Sequence, residues 1–127
     1  MKKVDLVEYD KNYTSICNRL LTHEKISNVI VFNESFVDFN SKYKYDVILS
    51  LAIHKWIKMN FKDYLKKIHY LLKKDGFLLL ESHDTRNLSE RNLKKILKEN
   101  IYFKVVSYGS IDDQNGIIRD FYWLKAK

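Results

Sequence analysis

The chain has 127 residues, the length of one domain, with 46% apolar residues for a core and 31% charged residues for an ordinary surface. No apolar run approaches the ~18 residues of a membrane span, and the start, Met1-Lys2-Lys3-Val4-Asp5, lacks the apolar stretch of an export signal. Cys17 is the single cysteine, which excludes a disulfide framework and a multi-cysteine zinc site. What remains is a reduced, cytoplasmic, globular protein without a membrane partner.

The net charge of +7 comes from 23 basic and 16 acidic residues, and all but four of the basic ones are lysines. Lys, Asn, Ile, Tyr and Phe are plentiful, Pro is absent and Gly numbers three. An AT-rich coding sequence produces that profile, so part of the charge reflects codon usage. A patch for phosphate backbones stays open as a reading. The scarcity of Arg, the preferred fork for phosphate and guanine, argues against a dedicated nucleic-acid module.

In chain order, Val4–Glu8 is a short strand that ends on an acid. Asp10 is placed to cap a helix whose apolar stripe, Ile16, Leu20 and Leu21, runs to about Thr22. Asn28–Phe32 is a β-branched run of the kind found in buried parallel strands, and Tyr45–Leu51 repeats it. Asn60 caps a second helix with Phe61, Leu65, Ile68, Leu71 and Leu72 inward, while Tyr64, Tyr70 and the paired lysines make a solvated face. Asp75-Gly76 breaks that helix, and Phe77–Glu81 is the next apolar strand. Ser89 starts a third helix with Leu93, Ile96 and Leu97 inward. Two longer strands, Tyr102–Tyr108 and Ile117–Lys125, joined through Asn115-Gly116, are predicted to pair antiparallel. In the second of these, Phe121-Tyr122-Trp123 alternates sides as packing residues do. The pattern predicts one α/β domain over 1–127, its sheet mostly parallel with a C-terminal antiparallel hairpin.

In an open α/β sheet, ligands bind beyond the carboxyl ends of the strands. Four places qualify: Glu8-Tyr9-Asp10, Asn33-Glu34-Ser35-Phe36, Ser50–His54 and Glu81–Asp84. A carboxylate ending an early strand suits a ribose, because each oxygen accepts one hydroxyl proton; a solvated loop start is the bland alternative for Glu8. His54 can act as a general base or orient a substrate hydroxyl, or it is an ordinary loop histidine. His83-Asp84 is a further acid–base candidate. Trp56, beside Lys55, either walls the cleft and stacks on a base or anchors the core. Cys17, His23, His54, His69 and His83 show no metal-ligand spacing, and no metal is expected.

The segments at 4–10, 45–54 and 71–81 resemble, in order and spacing, class I S-adenosylmethionine-dependent methyltransferases. The third resembles that family's leucine-lysine-proline-glycine-glycine segment, with Lys74-Asp75-Gly76-Phe77 lacking the proline and the second glycine. Ser50-Leu51-Ala52-Ile53-His54-Lys55-Trp56-Ile57 is also similar to a stretch of RNA 5′-phosphate methyltransferases. The resemblance implies a Rossmann-like methyltransferase sheet and S-adenosyl-L-methionine as cofactor. By position, Glu8 with Tyr9 would bind the donor ribose, and Ser35 with Phe36 would adjoin its adenine. Ser35 stands where the family usually has Asp. Ser50 and Leu51 would line the donor pocket near the methyl, and His54 and Trp56 would face the acceptor, an RNA or a small molecule.

The resemblance also implies an absence. The family's first strand and glycine-rich loop precede the segment matching 4–10, and this chain has only Gly76, Gly109 and Gly116. The strand at 4–8 is then expected to pair with 45–51, to leave a gap, or to receive a strand from another chain. Self-association or a completing partner follows from the unpaired edge. The competing function is a non-catalytic RNA-binding or partner subunit using the lysine-rich surface. A nucleotide-dependent oxidoreductase is disfavoured by the same missing glycines.

Overall fold

A computed structural model describes residues 2–83, 88–112 and 114–127, and the backbone alone at 83 and 88–92. The elements are β1 (Val4–Val7), α1 (Lys11–His23), β2 (Val29–Phe32), β3 (Tyr45–Leu51), α2 (Phe61–Leu71), β4 (Leu72–His83), α3 (Leu88–Glu99), β5 (Phe103–Asp112) and β6 (Ile118–Ala126), with a short 3-10 turn at His54–Trp56. They fall into two compact units, residues 1–40 and 41–127.

In the first unit β1 and β2 pair in parallel, Val4 opposite Val29 and Val7 opposite Phe32. The backbone N–H of Glu8 extends the ladder by donating to the Phe32 carbonyl at 3.0 Å. α1 begins where the sequence places it, because Asp10 Oδ1 accepts from the backbone N–H groups of Asn12 and Tyr13. Phe39 is buried, its ring edge-on to Phe32 with centroids 5.4 Å apart. Two expectations are corrected. Ile16 and Leu20, read as an inward stripe, are 50% and 56% exposed, and Ile30 of the supposedly buried β2 is also half exposed. Apolar periodicity marks which face is apolar, but burial needs a covering layer of sufficient size.

The second unit is a four-stranded sheet in the order β3-β4-β6-β5. β3 runs parallel to β4, while β4–β6 and β5–β6 are antiparallel. Register places Ser50 beside Leu80, Leu80 beside Tyr122, and Tyr122 beside Tyr108, so these residues share one face. On that face Leu78, Leu80 and Leu124 are fully buried together with Leu65 and Ile68 of α2 and Leu93 and Leu97 of α3. On the other face Val47, Leu49 and Leu51 stay 45–58% exposed, and Phe77 stacks on Trp123 with centroids 5.0 Å apart. Phe121-Tyr122-Trp123 alternates as expected: Tyr122 is buried and its neighbours are half-buried.

Several boundaries shift for identifiable reasons. Asn60 caps α2, with its Oδ1 accepting from the Asp63 backbone N–H at 2.9 Å. Tyr64, assigned to the solvated face, is instead 3% exposed. The break at Asp75-Gly76 falls inside β4. Leu72 already pairs with Tyr45, the chain then bulges outward, and Phe77 re-enters opposite Val47. Asp75 takes φ 63° there, and a Cβ on Gly76 would lie 2.9 Å from the Lys73 carbonyl oxygen. α3 begins at Leu88, one residue before Ser89. The hairpin turn carries Gln114 and Gly116 at φ 65° and 74°, the left-handed backbone that Asn-Gly signals. Among the described residues, no helix is long and apolar enough to cross a membrane, and no cluster of potential metal ligands occurs.

Candidate active-site residues

In the first unit the end of β1 is organised around Glu8. Its Oε1 accepts from the Asp10 backbone N–H at 2.8 Å, which draws the carboxylate over the start of α1. Below it, the Asn33 side-chain amide donates to the carbonyls of Glu8 and Tyr9 at 3.1 and 3.0 Å, and lies 3.2 Å from Thr14 Oγ1. Thr14 Oγ1 lies 2.9 Å from the Asp10 carbonyl oxygen. One amide and one hydroxyl thus tie the ends of β1 and β2 to α1 and hold Glu8 half-buried, with Tyr9 76% exposed beside it. Asn33 was missed as an organiser, although an amide at a strand end is a recognisable turn and cap signal. Ser35 Oγ accepts from the Val37 backbone N–H at 3.2 Å, a local turn that engages its hydroxyl, and Phe36 adjoins it in sequence.

In the second unit Ser50 and Leu51 diverge. Ser50 is 1% exposed and bonds the Tyr64 hydroxyl at 2.7 Å beneath α2, whereas Leu51 is 45% exposed on the opposite face. Burial pushes the Tyr64 phenol up to about 12, against the opposing effect of the Ser50 hydrogen bond. Beyond Leu51 the chain turns sharply. Ala52 adopts φ 58°, a left-handed conformation that L side chains disfavour, and its N–H donates to the Glu81 carbonyl at 3.2 Å. This elbow delivers His54 and Trp56 on the 3-10 turn. The His54 ring packs edge-on to Phe61, 5.4 Å between centroids. His54, Lys55, Ile57, Met59, Phe61, Leu93 and Ile96 line a cleft of about 320 Å³. Trp56 is 76% exposed, with the Lys55 ammonium 5.3 Å from its ring centroid, so it is not a core anchor.

Beside this elbow lies a pair that pattern reading passed over. Glu81, at the carboxyl end of β4, is 7% exposed, and its Oε1 receives Arg119 Nη1 at 2.8 Å. Glu81 belongs to the candidate stretch Glu81–Asp84, whereas Arg119 falls within the predicted strand Ile117–Lys125 with no role of its own. Their meeting depends on the β4–β6 register, which puts His83 opposite Arg119 and leaves Glu81 two residues along the same face. Of the His83-Asp84 candidate, Asp84 lies outside the described residues and His83 is described only as backbone.

The parallel β3–β4 pair continued by a C-terminal antiparallel hairpin agrees with the class I S-adenosylmethionine-dependent methyltransferase fold that the order of segments suggests. Solved structures of that class superpose on nearly the whole chain. The StiE O-methyltransferase (residues 961–1257) aligns with TM-score 0.80 and 11% identity over 98% of this chain. The N-methyltransferase NodS from Bradyrhizobium japonicum gives TM-score 0.79 at 12% identity, covering 98% of this chain and 73% of its own. Coclaurine N-methyltransferase, solved with N-methylheliamine and S-adenosylhomocysteine, gives 0.78 at 14% identity over 97% of this chain and 60% of its own. The chain spans 59% of the StiE structure's length. No curated protein matches the sequence.

The family itself is narrower. The profile of the Bicoid-interacting protein 3 (Bin3) family, a family of RNA methyltransferases, matches residues 45–121, more than half of the chain. The chain belongs to that family.

Proposed function

We propose that this chain is a methyltransferase using S-adenosyl-L-methionine as donor and RNA as acceptor. The observation that carries the reading is the elbow after β3. A strained Ala52 leads into the turn that sets His54 in the lining of a cleft and leaves Trp56 exposed beside Lys55, within the segment that matches the Bin3 family.

In the first unit the Glu8 carboxylate, fixed at one oxygen by the Asp10 N–H, is the group suited to accept ribose hydroxyls. Tyr9 lies open beside it, and half-buried Phe36 is the ring that the resemblance assigns to adenine. The fit is partial: the Ser35 hydroxyl is engaged by Val37, and the sequence has no Gly-x-Gly to cradle the donor's amino-acid end. When bound, the donor supplies an electrophilic sulfonium methyl. In the second unit the resemblance to methyltransferases assigns Ser50 and Leu51 to the donor pocket, and His54 is the group that would take the proton a hydroxyl acceptor loses. Trp56 stacks on an acceptor base, with Lys55 near its phosphate. Most of the rate then comes from alignment, with proton removal contributing about 100-fold.

The test is transfer of a tritiated methyl from S-adenosylmethionine to short RNA. His54→Ala is expected to lower the rate about 100-fold, and Trp56→Ala to raise KM. Transfer unaffected by both substitutions would overturn the assignment. A second reading, a non-catalytic RNA-binding subunit, is supported by the lysine-rich composition and the net charge of +7. It requires RNA binding that weakens steeply with salt and no methyl transfer.

A further inference from the structure

We infer that a lysine–tyrosine patch at the amino end of β3 grips the body of the acceptor RNA, away from the elbow; the inference rests on the reading of the acceptor as RNA. The charge of the chain is not spread evenly. Residues 1–40 hold five basic and six acidic side chains, whereas residues 41–127 hold eighteen basic and ten acidic ones. Nine lysines and two acids fall within residues 41–74 alone. Codon usage acts along a whole chain, so it does not account for positive charge confined to one unit.

Topology brings part of that run together. Lys42, Tyr43 and Lys44 lead into β3, whose first residue, Tyr45, pairs with Leu72 directly after α2. The last turn of α2 carries Tyr70, and Lys66 lies one turn earlier on the same side of the helix. The Lys44 ammonium donates to the Tyr70 carbonyl and sits 3.6 Å from the Tyr70 ring centroid, which fixes the ring and offsets the helix dipole. With that ammonium in place Tyr70 is still 62% exposed, and Tyr43 is 73% exposed. Lys42, Lys66 and Lys74 are exposed as well. The acids at this end are engaged by lysines, Asp46 by Lys73 at 2.7 Å and Asp75 by Lys125 at 2.9 Å.

Open tyrosines interleaved with lysines suit single-stranded RNA, because the rings stack on bases of any kind while the ammonium groups neutralise phosphates. An acidic peptide offers carboxylates to the lysines but no planar bases to the rings. The patch lies at the opposite end of β3 from Ala52 and His54, seven residues or about 20 Å away. An RNA therefore reaches both places only if it spans about six nucleotides, at about 3.4 Å for each stacked nucleotide.

The test is fluorescence anisotropy without donor, using a twenty-nucleotide single-stranded RNA and its first four nucleotides alone. Wild-type protein is expected to bind the longer RNA at least about tenfold more tightly. Lys66→Ala/Tyr70→Ala should weaken the longer RNA at least about fivefold and leave the shorter one unchanged, at an unchanged melting temperature. Tyr70→Phe keeps the ring and should keep the binding. Lys104→Ala, on β5 at the far edge of the sheet, removes one lysine as Lys66→Ala does and should cost less than about twofold. If the double variant does not fold, Lys66→Gln is used, and a loss of about threefold confined to the longer RNA is expected. Equal wild-type affinity for both RNAs, a folded patch variant that binds like the wild type, or an equal loss from Lys104→Ala overturns the inference. Twenty-residue polyglutamate that binds as tightly as the longer RNA overturns it too, because the rings then add nothing. Methyl transfer to the four-nucleotide RNA on the same samples separates the two readings. Transfer without any advantage of length removes the patch alone, whereas no transfer and no binding of either RNA removes the RNA acceptor and the patch with it.

Discussion

In residues 41–127, two helices lie on one face of a four-stranded sheet and bury a continuous set of side chains from Leu65 to Leu124. In residues 1–40, Phe39 is the single buried apolar side chain among those described, and a two-stranded sheet carries one helix. The second unit has its geometry set by packing, so its chemistry-bearing residues sit on an elbow braced by a core. The first is shaped by polar ties, with Asp10 capping α1, Asn33 and Thr14 joining the strand ends, and Asp10 in turn orienting Glu8. Forty residues bury too little apolar surface to do otherwise. Truncating a side chain should therefore be costly in one unit and mild in the other.

The largest effect is expected at Leu80. Its replacement by Ala, in a fully buried position between Ser50 and Tyr122, should destabilise by about 3 kcal/mol in urea unfolding. A cost below about 1 kcal/mol would show that the second unit lacks a packed core. Tyr64→Phe comes next. It strands the Ser50 hydroxyl under α2 and should cost about 1–2 kcal/mol at neutral pH. The pH dependence of the wild type carries a sign. Tyr64 ionises near 10 when unfolded and at about 12 when folded, so the folded state keeps the proton longer. Stability from this group is complete below pH ~10 and is lost as pH rises toward ~12, by about 2–3 kcal/mol in all. Tyr64→Phe should lack that alkaline component, which a series of unfolding curves between those pH values would read.

In the first unit Asp10→Ala should cost about 1 kcal/mol through the lost cap, detectable as reduced helicity of α1. Smallest of all, Ile16→Ser should change stability by no more than about 0.5 kcal/mol, since the side chain is half exposed. A cost there rivalling Leu80→Ala would erase the contrast between the units.

The same contrast explains what could be read from the sequence. Local signals told the truth where local physics decides: Asp10 and Asn60 cap their helices, Tyr45–Leu51 is a strand to the residue, and Asn115-Gly116 marks the hairpin. The order of segments was enough to indicate a methyltransferase fold. Patterning failed where the outcome depends on what lies opposite. Ile16 and Leu20 look like core but lack a covering layer, and Tyr64 looks like surface but is drawn inward by Ser50. The Glu81–Arg119 pair joins residues 38 positions apart through strand register, which no local pattern encodes. The left-handed Ala52 was illegible too, since strain at an alanine leaves no mark in composition.

Donor binding through Glu8 is best tested by calorimetric titration with S-adenosylhomocysteine, using wild type, Glu8→Ala and Glu8→Gln. The expected result is micromolar binding by the wild type, weakened at least about tenfold in both variants, because each loses a carboxylate acceptor for the ribose. Absence of heat with the wild type, or binding indifferent to Glu8, would contradict the claim that this chain holds the methyl donor.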